Sequence, residues 1–140
     1  MLKRNTIENP RFIKLPRIED LRGNLSFLEN NNQIPFEIQR VCWFYNTPRE
    51  KPDIGYSLRN TDEVIFVLSG SFNVNITNGI NTTTYILNQP NFGVLVPKMN
   101  WRSLEKFSTN SIGLIIHSEN NIKGEMINNR NEYNSLIHGK

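Results

Sequence analysis

Proton transfer near neutral pH can involve very few side chains of this sequence. The chain has 140 residues, with two histidines, His117 and His138, and one cysteine, Cys42. Imidazole, with an ordinary pKa near 6.5, is the side chain best suited to take and return a proton at pH 7. A single cysteine forms no intramolecular disulfide and, alone, no structural zinc site. Because no histidine stands near Cys42 in a motif, we interpret it as a small hydrophobic strand residue.

Tyrosine, glutamate and arginine side chains are other groups that could exchange or orient a proton, and Tyr56 is one of them. A tyrosine with its ordinary pKa near 10 is almost wholly protonated at pH 7. Tyr56 would therefore act as a base only if its pKa were depressed by several units. Arg59 and Arg102 could cause that shift if they face the same cavity. Two interpretations of Tyr56 stand: a base or hydroxyl donor in a cavity, or an ordinary half-buried strand tyrosine.

The composition excludes several classes of protein. Lys and Arg number 16 against 13 Asp and Glu, for a formal charge of +3. The basic residues are spread singly and not clustered along one stretch, so we predict no nucleic-acid partner. No stretch approaches the roughly 18 to 20 apolar residues of a membrane helix, so we predict no membrane span. The N-terminus lacks the apolar core of a secretory signal, and we expect a cytoplasmic protein.

Short segments rich in β-branched and aromatic residues recur from Phe36 onward, separated by turn residues. These segments are Arg40–Tyr45, Glu63–Leu68, Ser71–Thr77, Asn81–Leu87, Gly93–Pro97 and Ser111–His117. Their spacing is typical of an all-β sandwich or barrel. The Asn78-Gly79 pair predicts a hairpin between the third and fourth segments, and Asp20–Glu29 predicts a turn into a further strand.

The chain shows no linker, repeat or change of composition that would divide it. We predict one domain over residues 1–140, with a core at about 20–120 and a polar tail at 121–140. The tail has patchy helical spacing, which predicts a short helix near Arg130–Ile137.

Two stretches resemble the sequence motifs of the cupins, which are jelly-roll barrels. Tyr56-x-Leu58-x4-Glu63-x6-Gly70 has the spacing of the first cupin motif, in which His-x-His precedes Glu and Gly. Gly93-x2-Val96-x3-Asn100 has the spacing of the second, with Val96 at a metal-ligand position. Of four possible ligands only Glu63 remains, and one carboxylate does not hold a transition metal that prefers several imidazoles. We expect neither a metal nor a cofactor.

Over Asp20 to Leu136 the chain resembles one cupin family, the dTDP-4-oxo-6-deoxyglucose 3,4-ketoisomerases. The matching segments, in order, are Arg22–Leu25 with Glu29, Ile34–Val41, Asn46-Thr47, Leu68–Ser71, Gln89-Pro90, Gly93–Pro97 with Trp101, and Arg130–Tyr133. The resemblance implies a single cupin (double-stranded β-helix) barrel with a short C-terminal helix. It also implies a role in the biosynthesis of nucleotide-linked deoxy-sugars for O-antigens or surface glycans.

The chain departs from this family where the family's Arg-Gly-x-His-x-His-Lys segment would stand, at residues 53–59. Tyr56 and Leu58 replace the two histidines that shuttle a proton between C3 and C4 of the sugar, and Asp53 replaces an arginine. Glu63 and Arg102 replace the family's Gln and second-motif His, and we expect them to pair across the barrel. His117 aligns with a small non-catalytic residue and is interpreted as incidental.

The resemblance leads to two sets of site residues. The predicted catalytic residues are Tyr56, Glu63 and Arg102. The predicted substrate-binding residues are Arg40, Arg59, Trp101 and Trp43. The arginines would hold a diphosphate or are ordinary surface residues, and each tryptophan is either a ligand contact or a core residue.

Three functions remain open at this stage. The chain is an isomerase or epimerase of a nucleotide-linked 4-oxo-6-deoxy sugar with an altered acid/base set. Alternatively it is an inactive cupin that binds a nucleotide sugar or a partner enzyme, or a structural protein whose side chains fill its own cavity. A homodimer is expected from the family resemblance alone.

Overall fold

The computed structural model describes residues 7–48 and 55–138, which form short strands and one helix. The strands are β1 (Arg11–Lys14), β2 (Arg17–Asp20), β3 (Gly23–Ser26), β4 (Arg40–Phe44), β5 (Tyr56–Leu58), β6 (Glu63–Ser69), β7 (Phe72–Thr77), β8 (Thr82–Leu87), β9 (Phe92–Val96), β10 (Trp101–Glu105), β11 (Ile112–His117) and β12 (Met126–Ile127). A 3₁₀ turn at Lys123–Glu125 precedes β12, and α1 spans Arg130–Ile137. The predicted helix is confirmed.

Two five-stranded antiparallel sheets face each other. The first has the order β1-β9-β6-β11-β4, and the second has the order β12-β5-β10-β7-β8. Alternate residues of both sheets point between them and form one core, which includes Ile65 of β6, Val74 of β7 and Leu104 of β10. This is the predicted all-β jelly-roll barrel, and the hairpin predicted at Asn78-Gly79 joins β7 to β8.

The outer faces of the two sheets are covered by different segments. Over the first sheet, Ile34 and Phe36 pack on Val64 and Phe66. Over the second sheet, Tyr133 and Ile137 of α1 pack with Trp101, and the Tyr133 hydroxyl donates a hydrogen bond to the Met99 carbonyl. Helix α1 begins after Asn129, whose side chain accepts hydrogen bonds from two backbone N–H groups of its first turn.

Strands β2 and β3 form a two-stranded ribbon that belongs to neither sheet. Every residue of both strands is exposed, including the apolar Ile18 and Leu25. An isolated ribbon of two strands is at best marginally stable in water. Within residues 7–48 and 55–138, nothing covers the apolar side chains of this ribbon. Among the described residues, no helix is long and apolar enough to cross a membrane.

Candidate functional site

One end of the barrel interior carries polar side chains where the rest of the interior is apolar. In the first sheet, Glu63 of β6 is paired in register with His117 of β11, and His117 with Arg40 of β4. In the second sheet, Arg102 of β10 is paired in register with Tyr56 of β5. All five lie on the inward face of their strands, because they alternate with residues that point outward. We call these five residues the interior cluster.

Glu63 and Arg102 form the centre of the interior cluster. Glu63 is 1% exposed and Arg102 is 2% exposed. The Arg102 Nε donates to Glu63 Oε1 at 2.8 Å, and the Arg102 Nη2 lies 3.4 Å from Glu63 Oε2. The expected pairing across the barrel is therefore present, and neither charge is left uncompensated in the interior.

Tyr56 contacts both Glu63 and Arg102. Its hydroxyl donates to Glu63 Oε2 at 2.6 Å and accepts a hydrogen bond from Arg102 Nη2. The Arg102 guanidinium also stacks on the phenol ring, 3.7 Å from its centroid, a favourable cation–π geometry. Tyr56 and Arg40 are partly buried, whereas Glu63, Arg102 and His117 are buried, so Tyr56 and Arg40 are the members of the cluster that solvent reaches.

The interpretation of His117 as incidental was wrong. His117 is 1% exposed, its Nε2 lies 2.7 Å from Glu63 Oε2, and its Nδ1 lies 3.2 Å from Arg40 Nη1. The sequence contains a signal for this placement. Glu63 opens one predicted strand and His117 closes another, and antiparallel pairing of those two strands brings the two residues side by side.

Burial raises the pKa of the Glu63 carboxyl, but the charge of Arg102 and the hydrogen bonds from His117 and Arg102 outweigh it. The result is a pKa of about 2, against an ordinary 4.5. Glu63 is therefore ionised throughout the physiological range and is not a proton acceptor at neutral pH.

This depressed pKa predicts a loss of stability in acid. A carboxyl that binds its proton more weakly in the folded state stabilises the fold fully above pH 4.5, and this contribution is lost as the pH falls from 4.5 to about 2. The loss should be on the order of 3 kcal/mol in the free energy of unfolding. Urea unfolding followed between pH 6 and pH 2 measures it, with Glu63→Gln as the control. An equally steep fall in that variant would contradict the assignment.

The interior around the cluster is nearly full. A cavity of about 10 Å³ lies beside Tyr56, Glu63 and Arg102, with Leu58 and Val96 in its wall. A cavity of that size has room for about one water molecule. Within the described residues, no three His, Cys, Asp or Glu side chains are grouped so that they could hold a metal ion.

The two tryptophans lie away from the interior cluster. Trp101 points to the outer face of the second sheet, where it is 5% exposed and its ring centroid lies 5.5 Å from that of Tyr133. It is a packing residue under α1, and its predicted contact with substrate in the cavity was wrong. Trp43 is not a core residue, because it is 61% exposed on the outer face of edge strand β4. There it lines an open groove of about 540 Å³ with Leu68 and Leu114.

The two arginines predicted to hold a diphosphate are separated. Arg40 belongs to the interior cluster, where it contacts His117. Arg59 follows β5 on the surface and pairs with Glu132 of α1 at 3.5 Å, so it does not face the cavity with Arg102. Asp53 lies outside the described residues. Cys42 is partly buried against the core, and burial raises the pKa of its thiol, which agrees with a non-nucleophilic residue.

The two facing sheets and the polar cluster at one end of their interior define a cupin-type barrel with an ionisable interior site. The chain belongs to the family described as FdtA, WxcM-like, C-terminal, whose model matches residues 8–138.

Similar proteins carry names of one enzymatic class. The chain is 29% identical over 107 residues to the TDP-4-oxo-6-deoxy-alpha-D-glucose-3,4-oxoisomerase of Aneurinibacillus thermoaerophilus, covering 76% of this chain and 77% of the relative. It is 32% identical to the WlaRB TDP-quinovose 3,4-ketoisomerase of Campylobacter jejuni, with a TM-score of 0.86 over 91% of this chain and 98% of that one. A 3,4-ketoisomerase from Helicobacter canadensis is 28% identical, with a TM-score of 0.90 over 93% and 98% of the two chains.

Proposed function

We propose that the chain binds a dTDP-linked 4-oxo-6-deoxyhexose and moves its keto group between C4 and C3, in deoxy-sugar biosynthesis for an O-antigen or surface glycan. Family membership supports the class of substrate. The observation that carries the site is the partly buried Tyr56, whose hydroxyl is hydrogen-bonded to the buried Glu63–Arg102 pair.

The reaction passes through an enediol. A proton leaves C3 and the carbonyl oxygen on C4 gains one; the C3 hydroxyl then loses its proton while C4 gains one. Tyr56 is proposed as the group that exchanges these protons: its hydroxyl gives its proton to the C4 oxygen as the phenolate oxygen takes the proton from C3. In the second half the hydroxyl gives its proton to C4 and the phenolate oxygen takes the proton of the C3 hydroxyl. Arg102 would donate a hydrogen bond to the phenolate oxygen left when the proton departs. Glu63, which is ionised and fully hydrogen-bonded, would hold both residues in place.

The substrate itself tests this proposal. Incubation with dTDP-4-oxo-6-deoxyglucose in deuterated water, followed by NMR, should show deuterium entering at C3. Calorimetry with the same sugar nucleotide measures binding separately. Binding without exchange above the uncatalysed background would contradict the isomerase and leave the binding function in place.

A catalytically inactive sugar-nucleotide-binding cupin is the second candidate. One observation favours it: Leu58, at a position where the resembling motif has histidine, has no proton to exchange. An inactive barrel with an intact ligand site should gain activity when imidazoles are supplied. We expect Tyr56→His/Leu58→His to exchange C3 deuterium at least about 10²-fold faster than the uncatalysed background, the lower end for positioned acid–base groups. Ser57→Ala/Leu58→His, which adds one imidazole and keeps Tyr56, is the control. Tight binding with no gain would contradict the idea that only the histidines are missing.

A homodimer is proposed as the assembly. Edge strand β4 exposes Val41 and Trp43 beside the 540 Å³ groove, and the β2–β3 ribbon exposes Ile18 and Leu25. A twofold pair can cover both surfaces at once. Sedimentation should give about twice the 16.3 kDa mass of the chain, and Trp43→Glu should shift the species toward the monomer. A single-chain mass for the unmodified protein at micromolar concentration would contradict this assembly.

A further inference from the structure

We propose that His117 is a positioning residue: a neutral imidazole, fixed by Arg40, that holds Glu63 in the orientation from which Glu63 directs the Tyr56 hydroxyl. The effect of His117 on catalysis rests on the proposed function. The hydrogen bonds of His117 do not rest on it, and separate experiments test the two.

The hydrogen bonds of His117 determine which ring nitrogen carries the proton. Arg40 Nη1 lies 3.2 Å from His117 Nδ1, and a guanidinium has only donors. Nδ1 must therefore accept, which requires its lone pair to be free. The ring proton is then on Nε2, which donates to Glu63 Oε2 at 2.7 Å. A doubly protonated ring would direct an N–H at the Arg40 N–H, so the contact selects the neutral form.

The charged groups around His117 come from three strands. They are Arg40 from β4, Glu63 from β6 and Arg102 from β10, and Tyr56 from β5 is the fourth neighbour in the cluster. Glu63 and Arg102 pair with each other at 2.8 Å.

The N–H of His117 completes the set of donors to Glu63 Oε2. That oxygen also accepts from Tyr56, at 2.6 Å, while Arg102 Nε holds Oε1. With donors on both oxygens, rotation of the carboxylate would break at least one buried hydrogen bond. His117 is 1% exposed, so no ligand reaches it, and it orients the Tyr56 hydroxyl through Glu63. His117 thus acts through Glu63 and does not itself touch a substrate.

Two histidines make a direct measurement simple. Long-range ¹H–¹⁵N NMR of the full chain should show one ring with a protonated Nε2, an unprotonated Nδ1 and slow exchange with water. The exposed His138 serves as the internal control and should exchange rapidly. In Arg40→Met, which removes the donors to Nδ1, the Nδ1 signal of His117 should shift. Protonation of both nitrogens in the unmodified protein at pH 7, or no shift in Arg40→Met, would overturn the assignment.

Two substitutions test the positioning role. His117→Gln keeps an N–H donor for Glu63, whereas His117→Leu does not. We expect His117→Leu to change the ring ¹³C signals of Tyr56 and to lower kcat on the order of 10²-fold, with KM changed less. His117→Gln should recover most of both effects. Near-UV circular dichroism identifies variants that fail to fold.

The outcomes distinguish the two proposals. Unchanged Tyr56 signals in a folded His117→Leu variant would overturn the positioning role. So would equal losses of kcat in the Leu and Gln variants. If the unmodified protein shows no C3 exchange while the Tyr56 signals respond as expected, the proposed function fails and the role of His117 stands.

Discussion

The variant Tyr56→Phe should lose C3 deuterium exchange by roughly 10²- to 10⁴-fold, which is the usual contribution of one positioned acid–base group. Tyr56 is a partly buried member of the interior cluster, and its phenol oxygen donates a hydrogen bond to Glu63 and accepts one from Arg102. Phenylalanine keeps the ring on which the guanidinium stacks at 3.7 Å. The loss should therefore fall on kcat, with a smaller change in the affinity for dTDP. Exchange of deuterium at C3, followed by NMR, measures the rate.

Ser57→Ala is the matched control for this variant. Ser57 follows Tyr56 on the same strand, points to the opposite face, and has a buried hydroxyl with no hydrogen-bond partner among the residues that the structure describes. It also loses one hydroxyl, but outside the interior cluster, and its rate should stay within about twofold of the unmodified protein, as for substitutions away from functional groups. Equal rates for Tyr56→Phe and the unmodified protein would show that the phenol does not transfer the proton.

Glu63→Gln should lower the free energy of unfolding by about 3 to 5 kcal/mol, the usual cost of removing one partner of a buried ion pair. Arg102 would then hold a charge in the interior at 2% exposure with no carboxylate to balance it. The amide would also present N–H groups where His117 and Tyr56 direct theirs. Urea unfolding at pH 7 measures the change.

Glu132→Gln supplies a comparison at the surface. Its partner Arg59 lies 3.5 Å away, and the two side chains are about half exposed. We expect a change below about 1 kcal/mol, as for most exposed pairs. Glu63→Leu/Arg102→Met removes both buried charges and should recover a large part of the stability lost in Glu63→Gln. A double variant as unstable as the single one would show that the cost arises from packing and not from charge.

The pattern of alternation predicted most of the barrel. Strands β6 to β8 and β11 have alternating or continuous apolar residues with turn residues between them, so their periodicity is readable. Strand β10 is different because its inward positions include Arg102, and a charged residue at a core position conceals the period. Strand β5 has only three residues. Neither β5 nor β10 is among the strands predicted from the sequence, and both carry members of the interior cluster.

The candidate site was partly predictable for the same reason. Glu63 and Arg102 stand at motif positions, so their pairing could be expected from the resemblance. His117 has no motif of its own and became visible only once the register of β6 against β11 was known. The sides to which Trp43 and Trp101 point depend on one-residue differences in strand phase, which a sequence pattern does not determine for an edge strand or for a strand that was not recognised.

The interior cluster draws one residue from each of β4, β5, β6, β10 and β11, which belong to both sheets. Residues from position 40 to position 117 must therefore meet before the cluster exists, and no hairpin or local segment of the chain contains it. Opening of the barrel separates the five residues of the cluster. A nascent chain therefore has no complete cluster until β11 has paired. A ligand bound at this cluster would accordingly stabilise the whole domain against unfolding, by an amount that grows with the logarithm of one plus its concentration divided by Kd. Occupancy of the site and the stability of the fold would then be linked quantities.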